Sequence, residues 1–280
     1  MPTSFGGVAA IAERPAAFLF VWQALFALGT AIVAIWAFEM AWGRALRHAI
    51  SALPDTGGIL EGRLEWPEAR PGILYQGPFI AVVVDPTGLR EYGLATDFTL
   101  SLESDRLALR SFLGWTDLPY PPDFRLSLTR VEMTSAVAAW RAPFFVAVGV
   151  TVVVLLFVSW LILAFVYGTV VWIAAAVLAR PVPHRVARRL CAASLLPGCL
   201  VMAGAMALYA TRQLGLEGLL GAWPLHIVIG WLYCAGAWTQ LASHRSATTS
   251  ASSNPFAESE EAEVPTEAPP PAPNPFRNSG

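Results

Sequence analysis

Few side chains in this sequence have both the type and the setting to do chemistry. A histidine inside an apolar run can titrate or relay protons, and His226, in Trp223-Pro224-Leu225-His226, is one. Beside Trp223 at the start of a run, it reads more simply as an interfacial histidine. Gln23 is a lone amide in the first apolar run and reads as a hydrogen-bonding contact between helices. Cys191, Cys199 and Cys234 have no C-x-x-C spacing and no histidine nearby, so they read as packing thiols rather than metal ligands. Ser194 has no sequence neighbour to activate it, and the sequence contains no G-x-S-x-G, no H-E-x-x-H and no glycine-rich phosphate loop. Glu103 with Asp105, and Asp117 with Asp123, lack the spacing of a calcium loop and read as turn residues and a solvated face. The expectation is a chain without catalytic residues, metal or cofactor.

The remaining signals concern helix and turn geometry. Ser194 and Gly198 stand four apart, as do Gly230 and Cys234, a spacing of small residues that lets helices approach closely. Pro197 should bend its helix, as a kink or a hinge. Asp85-Pro86-Thr87-Gly88 has Asp, Pro and Gly at the first, second and fourth positions of a type I turn.

The elements that hold these residues are apolar. The chain has 280 residues, 55% hydrophobic and 14% charged, which places it among polytopic membrane proteins. All eighteen basic residues are arginine, a pattern we read as base-composition bias. Apolar runs at 15–38, 144–178, 190–211 and 222–243 each reach the roughly 20 residues needed to span a bilayer. The first is too long for the apolar core of a signal peptide and reads as an uncleaved anchor. Residues 143–179 hold no charge at all. As one helix they would be roughly 55 Å long against a hydrocarbon core of about 30 Å. A hairpin of two short helices is the alternative, but 158–163 has no Gly, Pro, Asn or Asp to turn it. A single crossing is favoured, bent near Gly168.

Arg180, Arg185, Arg188 and Arg189 put four arginines into a ten-residue stretch, 180–189, which reads as a basic cytoplasmic loop. Both termini are then cytoplasmic, and 43–142 is extracytoplasmic. In that segment 79–84 is a continuous apolar run, as in a strand buried on both faces. Residues 98–102, 106–110 and 124–131 alternate as strands, with 118–123 an irregular proline-rich loop. The predicted fold is four transmembrane helices, with a small, mostly antiparallel β domain between the first two. The tail, 244–280, is net acidic, with five Glu after Ser246 against one Arg, turns proline-rich and is predicted disordered. It repeats Asn254-Pro255-Phe256 as Asn274-Pro275-Phe276, either by chance or as a docking signal, and Arg277 is too isolated to bind nucleic acid.

Three features coincide: a single span followed by a β segment with Val83-Val84-Asp85-Pro86-Thr87-Gly88, a long apolar run ending in a basic loop, and the connector from Ala179 into Pro197-Gly198. Together they resemble a bacterial family of uncharacterised membrane proteins distantly akin to the Yip-like superfamily. The resemblance covers about 10–243 and implies four spans in the inner membrane, with no catalytic residues to carry over. The functional expectation is a non-enzymatic membrane protein that senses or binds through its outer domain, or scaffolds partners. A transporter or transporter subunit is the alternative, and an intramembrane enzyme a more distant one. Expected partners are the lipid bilayer and proteins at the outer domain or tail, with homo-oligomerisation left open.

Overall fold

Ser4 opens the first helix, its hydroxyl accepting the Gly7 amide at 3.1 Å. The computed structural model describes residues 3–68, 71–88, 95–179 and 182–252. Among these the helices are α1 (Phe5–Glu13), α2 (Ala16–Phe38), α3 (Arg44–Ser51), α4 (Arg130–Val177), α5 (His184–Ala210) and α6 (Leu216–Ser252). A π-helical turn, Glu39–Gly43, joins α2 to α3 without a break. Four helical stretches are long and apolar enough to cross a membrane: α2 with its continuation to Ser51, α4, α5, and α6 as far as Gln240.

The buried axis of the bundle is α5, with α1, α2, α4 and α6 packed around it. Its small residues explain that position: Ala187, Cys191, Ala193, Ser194, Gly198 and Cys199 are all buried and let neighbouring backbones come close. A Cβ on Gly198 would lie 2.5 Å from the His226 carbonyl oxygen, and one on Gly168 would lie 2.8 Å from Arg188 Cα. The thiols of Cys191 and Cys234 meet at 3.3 Å across α5 and α6. By contrast α4 leaves most of its apolar surface exposed, including Val150, Leu161 and Phe165.

The 52–129 segment folds into two sheets. Strands β1 (Gly58–Leu60), β2 (Arg63–Glu65) and β8 (Leu126–Ser127) make one, in the antiparallel order β2-β1-β8. Strands β3 (Gly72–Gln76), β4 (Ile80–Asp85), β5 (Phe98–Glu103), β6 (Arg106–Ser111) and β7 (Gly114–Pro119) make the other, in sequence order. Every pair is antiparallel except β4 with β5, which run parallel with Asp85 opposite Glu103. The apolar run in β4 is buried from Ala81 to Asp85, as expected of a strand covered on both faces. This sheet sits on one end of the bundle. Trp42 meets Phe98 at 5.1 Å, Phe79 meets Tyr209 at 4.9 Å, and Tyr209 Oη donates to Asp97 Oδ2 at 2.7 Å. We call this the sheet end and its opposite, where α2 and α5 begin, the arginine end.

Several expectations need correction. The strand expected over 124–131 shrinks to Leu126–Ser127, because Thr129 caps α4 by accepting the Glu132 amide at 3.4 Å. Thr129 and Glu132 form a capping-box pattern, which outweighs the alternation around it. So α4 begins thirteen residues before Pro143 and runs through it and through Gly168 as one helix, with no hairpin. Arg185, Arg188 and Arg189 lie in the first turns of α5 rather than in a loop, since no helix breaker follows Pro183 until Pro197. Arg180 lies outside the described residues. Strands β1, β2, β3 and β7 and helix α1 are additions to the predicted elements. α6 continues to Ser252, past the expected start of the disordered tail, and both Asn-Pro-Phe tripeptides lie outside the described residues.

Candidate functional site

Helix α3 presents polar groups on two faces. Met40, Arg44 and His48 are spaced by four, so they stack along one face across the π-helical turn. Arg47 points elsewhere: its guanidinium bonds Glu39 at 2.5 Å, and Arg141 of α4 reaches the same carboxylate at 3.1 Å. Glu39 thus ties α3 to α4 and leaves the Met40–Arg44–His48 face open. That face forms one wall of a pocket of about 490 Å³ at the sheet end, a volume usual for small-molecule sites. Tyr75 of β3 and Phe79, just before β4, supply the second wall, with the Tyr75 and His48 rings stacked at 5.9 Å. Thr211 and Arg212, following α5, close the third.

Arg212 sits in the left-handed region at φ +63, where its amide donates to the Tyr209 carbonyl at 2.9 Å. Glycine is the usual residue there, and a side chain costs roughly 1–2 kcal/mol. This backbone brings the Arg212 guanidinium to 5.8 Å from the centre of the Phe79 ring. The pocket lining therefore holds two arginines and a histidine and no carboxylate. Arg44 and Arg212 have no ion-pair partner among the described residues. Such a lining can bind a carboxylate or phosphate by charge-assisted hydrogen bonds and hold a flat group against Tyr75. π-helical turns are frequent at functional sites, and here one borders the pocket.

The residues singled out from the sequence fall elsewhere. Gln23, Arg185, Arg188 and Arg189 come together around a cleft at the arginine end. Ser194, Gly198, Gly230 and the half-buried His226 lie at the α5–α6 contact, where Gly230 faces Leu195 and the His226 ring is 6.5 Å from that of Trp223. Asp85, Pro86 and Gly88 form the expected turn, with Asp85 Oδ1 accepting the Thr87 and Gly88 amides, both at 3.1 Å. A transporter reading asks for broken helices at Gly168 and Pro197; α4 and α5 run unbroken through both. No group of three metal-ligating side chains gathers among the described residues. The sheet-end pocket escapes sequence reading because its walls come from three separated stretches. Two signals point toward it: the four-residue spacing of Arg44 and His48, and an arginine where a helix end calls for glycine.

Comparison with known proteins returns nothing: no family model, no curated protein and no solved structure matches the chain.

Proposed function

We infer that the chain is a non-enzymatic integral membrane protein whose sheet-end pocket binds a small anionic ligand. The observation that carries this reading is the convergence of Arg44, His48 and Arg212 on one pocket without a carboxylate in its lining. The pocket joins α3, the sheet and the end of α5, so a ligand there bears on the sheet and the helices together, as a sensing role requires. By the positive-inside rule the arginine end faces the cytoplasm and the sheet faces outward, with both termini inside, in a bacterial inner membrane. Four spans are also what the resemblance to a bacterial membrane-protein family distantly akin to the Yip-like superfamily implies.

The test is a thermal-unfolding screen of the detergent-purified full chain with orthophosphate, succinate and citrate. A bound anion at a hundred times its Kd stabilises by about 2.7 kcal/mol, a midpoint rise of roughly 5–10 °C. That rise should disappear in Arg44→Gln and in Arg212→Gln. Absence of a rise with every anion, or a rise that survives both substitutions, overturns the reading.

A further inference from the structure

The cleft at the arginine end lies between α2 and α4, with the start of α5 closing it, and holds about 1250 Å³. Phe20, Phe157, Leu161 and Phe165 are among its apolar walls, and Arg185, Arg188 and Arg189, in the first turns of α5, line it as well. Gly168 makes this arrangement possible: without a Cβ, it lets the Arg188 backbone rest directly on α4. Arg189 is steadied by donating to the Arg14 carbonyl at 3.2 Å. No carboxylate lines the cleft, and none of the three arginines has an ion-pair partner among the described residues. Gln23 also faces the cleft and makes no hydrogen bond to another helix among the described residues.

The apolar wall on α4 runs over 157–166. Ten helical residues rise roughly 15 Å, half of a hydrocarbon core of about 30 Å. The cleft is therefore one leaflet deep, with cations at the headgroup level and an apolar wall below. We propose that it binds an anionic diacyl phospholipid, with the phosphate on Arg185, Arg188 and Arg189 and an acyl chain along α2 and α4. Gln23 supplies a hydrogen-bond donor within the same cleft. A free phosphate would leave the apolar wall unused. A zwitterionic lipid would bring its own cation against three guanidinium groups. This site is independent of the sheet-end pocket.

The experiment is native mass spectrometry of the full chain after equilibration with dioleoyl phosphatidylglycerol or dioleoyl phosphatidylcholine at equal mole fraction. Phosphatidylglycerol adducts should dominate, and Arg185→Gln/Arg188→Gln/Arg189→Gln should reduce their affinity roughly tenfold or more. Because that variant also alters the topology signal, a second one, Val158→Trp, narrows the apolar cleft and keeps all three arginines. It should lower phosphatidylglycerol retention as well. Equal retention of the two lipids, unchanged retention in Val158→Trp, displacement by orthophosphate, or a protein dimer that excludes lipid would each overturn the proposal.

Discussion

Asp85 and Glu103 are buried carboxylates on neighbouring strands, opposite each other in the parallel pair. Each is satisfied by local donors. Asp85 takes the amides of its own turn, and Glu103 takes Arg106 Nε at 2.7 Å and an Arg110 nitrogen at 3.3 Å. The hydrogen bond to Glu103 also raises the pKa of Arg106 above the ordinary arginine value. Tyr120 feels the same cluster. Burial, then the charges of Glu103 and Asp105, push its phenol up from 10.0 to about 12. An unfolded chain loses that proton across this window while the folded chain keeps it, so stability falls as pH rises through the interval. Thermal midpoints at about pH 9 and about pH 11 should therefore differ less in Tyr120→Phe than in the unsubstituted protein. Equal differences would show that Tyr120 does not contribute. The acidic residues here were visible in the sequence as turn formers. Their arginine partners were not, because the pairing depends on strand register.

At the scale of elements, contact between helices is decided by glycine placement. A side chain at Gly168 would enter the backbone of α5 at Arg188, whereas Gly29 has open space around its Cβ position. Gly168→Leu should destabilise the protein by roughly 1–3 kcal/mol through overpacking. Gly29→Ala should be neutral or stabilising by up to about 1 kcal/mol, through helix propensity alone. Thermal unfolding of both variants in one detergent checks the pair, and similar values would mean that the α4–α5 contact is not tight. From sequence, Gly168 reads as a bend. Only the approach of α5 shows that it is a contact. The four apolar stretches were legible because each has enough consecutive apolar residues to make its own helix. The nine-residue α1 was not. Its buried Val8, Ile11 and Ala12 acquire meaning only against α5 and α6, where Phe5 also packs on Tyr233 at 5.1 Å. The start of α4 was available in Thr129 and Glu132, but local alternation pointed to a strand.

At the scale of the whole molecule, two cationic regions lie at opposite ends of the bundle, one against the sheet and one where α2 and α5 begin. If the arginine end faces the cytoplasm, a phosphatase fused after Ala179 should be inactive and one fused after Thr211 active. The reverse pattern would invert the orientation and place the lipid cleft in the other leaflet. Composition and run length by themselves determined the class of the molecule: four long apolar helices with one polar insertion between the first two. Those properties depend on residues adjacent in the chain. The two candidate sites depend on residues that are distant in it. Arg44 and Arg212 come to line one pocket, and Gln23 and Arg188 one cleft, only after α5 has become the central helix and the sheet has docked on its far end. Tertiary packing decided the sites because charge convergence and cleft shape arise from how helices cross, and the pattern along any one helix does not contain that geometry.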